Sequence, residues 1–320
     1  MTDAITMDDI RAAAGRIGGH VRRTPMLEDP RLNDLAGRRV LVKCENLQIT
    51  GSFKARGSWN ALATRPDGTA GVIACSSGNH AQGIARAAAL HGVPAVIVMP
   101  ADAPAVKIAN TRGYGAEVVT YDRASEDRDA IATQLATARN LHFIHPFNNP
   151  AVMAGQGTTG LEIAAQAEET GVAKADVLVC TGGGGLCSGI ALALEADAPG
   201  LRVRPVEPEG FDDVARSLAS GRIESNASAS GSICDAIVTP SPGTLTFPVL
   251  NRLAGPGLTV TDDEALRAMR VAFELLRLVV EPGGAVGLAA ALFRDDLPDT
   301  VVAVLSGGNV DPAIFARAIA

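Results

Sequence analysis

Residues 71–100 read GVIACSSGNHAQGIARAAALHGVPAVIVMP. An apolar, β-branched run (GVIACSS) gives way to small and polar residues. A stretch of helical spacing follows over Gly78–His91, and a second apolar run (PAVIVMP) closes the unit. Strands of this kind, apolar on both faces and separated by a helix, belong to parallel sheets covered by helices. The rhythm continues outward. A helix is expected near Ala105–Arg112, then strand-like AEVVTY, a helix near Ser125–Arg139, and LHFIHP. Together these predict a parallel sheet of about four strands.

The same alternation resumes after Pro150. VLVCTGGGG leads into a helix over Leu186–Glu195, LRVRPVEP reads as the next strand, and TVVAVLSGGN as the last. Toward the N-terminus, Thr6 and Asp8 are candidate caps for a helix over Asp9–Gly18. Thr24-Pro25 opens an extended stretch, RVLVK (39–43) is a strand, and Ser52–Ala63 has helical spacing. Residues 208–260 are rich in Ser, Pro and Gly and read as a long irregular excursion. The fold class expected is α/β, with two open, mostly parallel sheets flanked by helices. Residues 60–145 form a small domain, and 1–59 with 146–320 a large one.

Composition narrows the function. Of 320 residues, 47% are hydrophobic and 20% charged, which suits a large core rather than disorder. The net charge is −7 with no basic block, so nucleic-acid binding is not expected. The five cysteines lie in no CxxC pair and mostly in apolar runs. They read as buried reduced thiols in a cytoplasmic protein. The acidic start MTDAITMDDI has no apolar core, so neither a secretory leader nor a membrane span is expected.

Four segments carry chemistry. In TGGGGLCSGI (181–190), glycines between a strand and a helix bring backbone N–H groups around an anion at the positive helix end. No Lys-Ser or Lys-Thr follows, so this is not a Walker motif, and the GxGxxG spacing of dinucleotide sites is missing. ENLQITGSFKARG (45–57) places Lys54 early in a helix beside Phe53, where partial desolvation makes a lysine nucleophilic. SSGNHAQG (76–83) ends a strand with donors suited to carboxylates and phenolic oxygens, although a simple helix cap accounts for part of it. LSGGN (305–309) ends another strand. In open α/β sheets ligands gather at such carboxyl ends, and the convergence of four outweighs any one motif.

With these segments in hand, the sequence resembles the fold-type II pyridoxal-phosphate enzymes, in the serine/threonine dehydratase and serine racemase branch. The resemblance runs from RRTPML to LSGGN. It implies a cofactor, pyridoxal 5′-phosphate, in the cleft between the two domains, with Lys54 carrying it as a Schiff base and moving the Cα proton. Phe53 would pack near the pyridine ring and Asn79 would bond its O3′. Gly182, Gly183, Gly184, Gly185 and Leu186 would hold the phosphate, and Ser306 the pyridine nitrogen. A serine at that nitrogen leaves it largely unprotonated, which favours elimination over transamination. Ser76, Ser77, Asn79 and His80 would hold the substrate carboxylate. VEPEGFDD (206–213) resembles the divalent-cation loop of racemase-like members, with Glu207 and Asp213 side chains and the Phe211 carbonyl as ligands for Mg²⁺, Mn²⁺ or Ca²⁺.

The resemblance further implies a dehydratase, or ammonia-lyase, acting on 3-hydroxyaspartate, threonine or serine, with hydroxyaspartate placed first. Arg128, in SEDRD, stands where racemase-like members carry a substrate arginine, and a surface helix arginine is the plain alternative. Ser77, on the face opposite Lys54, admits a serine or aspartate racemase as second reading. Phe147 departs from the racemase pattern, which has Asn. A noncatalytic small-ligand binder is the third reading. A homodimer is implied. A chain ending at Ala320 is expected to lack a C-terminal regulatory domain.

Overall fold

The computed structural model describes residues 3–76, 78–103, 105–122, 125–228 and 230–320. Among the described residues ten strands occur in chain order: β1 (Met26–Glu28), β2 (Arg39–Lys43), β3 (Gly71–Cys75), β4 (Ala95–Pro100), β5 (Glu117–Tyr121), β6 (Leu141–Phe143), β7 (Ala175–Cys180), β8 (Leu201–Pro208), β9 (Leu258–Val260) and β10 (Thr300–Val304). They form a six-stranded sheet in the order β1-β2-β10-β7-β8-β9 and a four-stranded sheet in the order β5-β4-β3-β6. Every pairing is parallel except β1 with β2.

Successive side chains on a strand point to opposite faces, and in the six-stranded sheet both faces are covered. Leu178, Val301 and Ala303 pack on one side with Ala268, Met269 and Leu288 from the helices Asp262–Leu276 and Pro282–Phe293. Val177, Val179, Val302 and Val304 pack on the other with Ile163 and Ile190 from the helices Pro150–Glu169 and Gly185–Asp197. The smaller sheet divides in the same way. Val72, Ala74 and Ile97 face the helices Lys54–Ala63 and Asn79–Leu90, while Ile73, Val96 and Val98 face the helix Arg128–Arg139. Each fully buried aliphatic side chain contributes about 1.5–3 kcal/mol. The five cysteines are buried and unpaired. Among the described residues no helix is long and apolar enough to cross a membrane.

The structure departs from the sequence reading in instructive places. Thr6 does cap the first helix, Met7–Ile17, in a reciprocal box with Asp9. The helix expected from Ser52 starts at Lys54, because Thr50 (φ 64°) and Gly51 (φ 73°) take left-handed conformations that a helix does not accept. The irregular excursion holds two helices, Asp213–Ser220 and Thr246–Leu253, and β9. Eight-residue helices among Ser, Gly and Pro give a weak periodic signal. The helix Pro282–Phe293 (PGGAVGLAAALF) is buried around most of its circumference, so it has no polar face for a periodicity to reveal.

Candidate active site

Four chain segments meet at the carboxyl end of β10. Leu305–Gly308 runs beside the segment leading into Lys54: Phe53 N–H donates to the Ser306 carbonyl (3.1 Å), and Gly308 N–H to the Gly51 carbonyl (2.8 Å). Ser52 and Gly307 form a β-bridge. Ser306 is buried there. The left-handed turn at Thr50-Gly51 is secured by Asn309, whose Nδ2 donates to the Thr50 carbonyl at 2.8 Å. Lys54 then opens its helix. That helix crosses Pro150–Glu169 closely, since a Cβ on Gly155 would lie 2.5 Å from the Gly57 Cα.

Lys54 Nζ donates to the Pro146 carbonyl at 3.0 Å and lies 4.9 Å from the centre of the Phe53 ring. Burial pulls its pKa down to about 8, against the opposing pull of Glu281. The neutral amine, the form a nucleophile or base requires, is therefore far more populated near neutral pH than for an ordinary lysine.

The glycine turn follows β7. Gly184 (φ 90°) is the N-cap of Gly185–Asp197 and offers no side-chain acceptor to the first turn. No protein acceptor among the described residues takes the N–H of Gly182, Gly183 or Gly184, while those of Gly185 and Leu186 lie in the open first turn. Five adjacent donors at the positive end of a 13-residue helix suit a phosphate dianion. The back of the turn is closed. The Phe147 ring occupies the place of any Gly183 Cβ, and Gly243 N–H and Thr246 Oγ1 both donate to the Gly183 carbonyl (3.1 and 2.6 Å). His145-Pro146-Phe147 thus joins the lysine to the anion cradle, through the Pro146 carbonyl on one side and the Phe147 ring on the other.

Asn79 begins the helix Asn79–Leu90. Its Nδ2 donates to Glu281 Oε1 (2.5 Å), and its Oδ1 accepts from Asn309 Nδ2 (2.7 Å). The absence of a side chain on Gly307 makes room for this pair, because a Cβ there would overlap Glu281 Oε1. Glu281 is buried, and burial raises its pKa from 4.5 to about 7 despite the Asn79 bond. A raised carboxyl stabilises the fold fully below about 4.5, and that contribution drains away as pH rises through about 7. We expect Glu281→Gln to match the ligand-free wild type at pH 4 and to exceed it at pH 8 by up to about 3 kcal/mol. Urea midpoints across the range measure this.

The other expected residues divide. His80 is buried with Nε2 against the Ile144 carbonyl (3.0 Å) and Nδ1 without a partner. Burial, then the Lys54 charge, lowers its pKa to about 3, so the side chain is a neutral wall rather than a cation for a carboxylate. Ser76 Oγ accepts from Gly78 N–H (3.2 Å) in the loop. Ser77 lies outside the described residues. Arg128 starts the helix Arg128–Arg139 with its side chain 44% exposed, and among the described residues its ion pair is a loose one with Asp129, at 3.7 Å.

At the expected cation loop, Glu207 and Asp213 are both fully buried. Glu207 accepts from Val214 and Ala215 N–H (2.9 and 2.8 Å), so it caps the helix Asp213–Ser220. Asp213 Oδ1 accepts from Asn226 (2.6 Å), while its Oδ2 has no partner. Burial lifts Asp213 to about 6. Among the described residues no group of three His, Cys, Asp or Glu side chains gathers as a metal cage.

Comparison with known proteins agrees with this geometry. Residues 17–307 match the family described as pyridoxal-phosphate dependent enzyme. The chain is 44% identical to an L-threo-3-hydroxyaspartate ammonia-lyase of Pseudomonas sp over 95% of each chain. It superposes on the crystal structure of a T.th. threonine deaminase with a TM-score of 0.91 and 45% identity, covering 96% of this chain and 99% of that one. Maize serine racemase gives a TM-score of 0.90 and 36% identity, with 99% and 97% covered.

Proposed function

The chain belongs to the pyridoxal-phosphate dependent enzyme family, and on that premise we propose that it is a dehydratase whose preferred substrate is 3-hydroxyaspartate, with threonine and serine as further substrates. It is a lyase of the ammonia-lyase type. The observation that carries the reading is Lys54, a partly neutral amine held by the Pro146 carbonyl and linked through residues 145–147 to five adjacent backbone N–H donors.

The residues present fit the cofactor. Gly182 to Leu186 would take its phosphate on unpartnered N–H groups, Lys54 would bind it covalently, Asn79 would face O3′, Phe53 would pack near the ring, and the buried Ser306 would face the ring nitrogen. When bound, pyridoxal phosphate withdraws electrons and makes the substrate Cα–H acidic. Lys54, the residue that would hold the cofactor, would be the base for the Cα proton. Burial disfavours its ammonium and brings the pKa down to about 8, and the Pro146 carbonyl aims it. Loss of the β-hydroxyl as water follows. Hydrolysis of the resulting imine then returns one water, so that 3-hydroxyaspartate becomes oxaloacetate plus ammonia. Glu281 sets Asn79 in place and keeps formal charge low beside it while protonated. We take residues 60–145 as the smaller lobe, which carries Asn79 and Arg128 toward the lysine.

Assay of ammonia and oxo acid from 3-hydroxyaspartate isomers, threonine and serine tests the proposal. Hydroxyaspartate leading in kcat/KM supports it. The likeness to maize serine racemase favours racemisation as the second reading, and D-amino acid without ammonia would establish that instead.

We also assign a divalent cation to Glu207, Asp213 and the Phe211 carbonyl. The support is the unpartnered, buried Asp213 Oδ2 beside a second buried carboxylate. Millimolar Mg²⁺ or Ca²⁺ is expected to raise the melting temperature by several degrees in the wild type and not in Asp213→Asn, since a ligand specific to the folded state stabilises by mass action. An equal shift in both proteins would refute the assignment.

A further inference from the structure

His145 lies within electrostatic reach of both Lys54 and the Arg128-Asp129 start of the helix Arg128–Arg139. Its Nδ1 accepts from Phe147 N–H (3.4 Å) and Asn148 N–H (3.0 Å). A neutral imidazole carries one proton, so with Nδ1 accepting, that proton is on Nε2. The ring is held edge-on by two aromatic neighbours, Phe147 at 4.5 Å and 90° and Phe143 at 6.1 Å and 86°. Nε2–H therefore has a set direction, away from the 147–148 backbone.

That donor has no acceptor among the described residues, and it is not among the sealed, unsatisfied atoms. It is open to a ligand. The surroundings are specific. Burial lowers the pKa of His145 to about 4, with Asp129 opposing and with Arg128 and Lys54 both adding to the fall. The charges that reach the ring are thus the lysine of the reaction centre on one hand and the Arg128-Asp129 pair on the other. The residue that follows, Pro146, supplies the carbonyl 3.0 Å from Lys54 Nζ.

We propose that His145 is a specificity residue, its Nε2–H binding the β-carboxylate of a dicarboxylic β-hydroxy amino acid between Lys54 and Arg128. This rests on the dehydratase reading above and supplies its substrate preference. A neutral donor suits the position, because a full cation this close to the Lys54 amine would oppose the binding of the substrate amine and depress Lys54 further as a base. Arg128, exposed and only loosely paired, brings the compensating charge.

Two substitutions separate the donor from the plain role of capping the turn. His145→Asn keeps an acceptor where Nδ1 sits and loses Nε2–H. His145→Gln places an amide N–H near Nε2 and loses the cap. The readout in the holoenzyme is the ratio of kcat/KM for L-threo-3-hydroxyaspartate to that for L-serine. We expect His145→Asn to lower the ratio at least tenfold and His145→Gln to hold it within threefold. A ratio unchanged in His145→Asn, or lowered more by Gln than by Asn, overturns the proposal. Binding without turnover gives an independent reading. L-Aspartate is expected to raise the wild-type melting temperature more than L-alanine does, and His145→Asn to erase that difference. If the wild type fails to turn over hydroxyaspartate yet shows the aspartate difference and His145→Asn erases it, the substrate assignment falls and the role of His145 stands; a difference kept by His145→Asn overturns that role. If aspartate gives no difference in the wild type, the role of His145 falls.

Discussion

Arg56→Ala is expected to destabilise the protein by about 3–5 kcal/mol, the cost of leaving a buried carboxylate unpaired. The Arg56 side chain is fully buried, two residues after Lys54. It forks twice. Nε and Nη2 donate to Glu45 (2.8 and 2.7 Å), and Nη1 and Nη2 to Glu162 (2.7 and 2.9 Å). Lys43 Nζ completes the cluster on Glu162 at 2.6 Å. Burial alone would raise Glu45, but the charge and hydrogen bonds of Arg56 outweigh it and hold the carboxyl below its usual range. Two cations and two anions balance with nearly every donor satisfied, the condition under which buried charges are tolerated. The cluster ties the reactive helix to the end of β2 and to Pro150–Glu169, so it positions Lys54 as well as stabilising the fold. Urea denaturation measures the loss. Adding Glu45→Gln to Arg56→Ala is expected to recover part of it, because the stranded charge then goes. A loss below about 1 kcal/mol would mean that water reaches the cluster.

Lys54→Ala is expected to lower turnover by on the order of 10³-fold or more while changing stability little. Among the described residues the proton transfer it would perform has no ready substitute: His80 is sealed and neutral, Glu281 is engaged with Asn79, and His145 Nδ1 is taken by two backbone N–H groups. Among the described residues Lys54 makes one side-chain hydrogen bond, to the Pro146 carbonyl, and removing a desolvated amine relieves a burial cost. Far-ultraviolet dichroism and the urea midpoint separate lost chemistry from lost structure. Residual activity within tenfold of wild type would assign the proton transfer elsewhere.

Much of this site was legible in the sequence because it is built from local devices. A strand buried on both faces is a continuous apolar run, and TGGGGL is an anion cradle wherever it joins such a strand to a helix. Lys54 and the glycines could therefore be singled out from the residues, whereas Asn79 and Ser306 were named only through the resemblance; Asn79 bonds Glu281 and Asn309, and the Ser306 carbonyl accepts from Phe53 N–H. Residues that act through tertiary contact were not legible. Pro146 serves through its carbonyl and carries no side-chain signal. Glu281, in VVEPGG, reads as an ordinary helix start, and only folding brings it to Asn79, 202 residues away. His145 in LHFIHP reads as the end of a strand. Its importance rests on two backbone donors and two aromatic rings that fix its free N–H. Glu45, Arg56 and Glu162 look like scattered surface charges until three elements close around them. The His80 ring is sealed against the Ile144 carbonyl, which leaves its backbone N–H, in the first turn of Asn79–Leu90, as the group available to a substrate carboxylate.

The most direct test of the central claim is to incubate the purified holoenzyme with L-threo-3-hydroxyaspartate and follow oxaloacetate and ammonia together, with Lys54→Ala beside it. The account predicts equimolar release of both, faster than from threonine or serine, and none above background from the variant. Ammonia-free turnover, or equal release by Lys54→Ala, would contradict it.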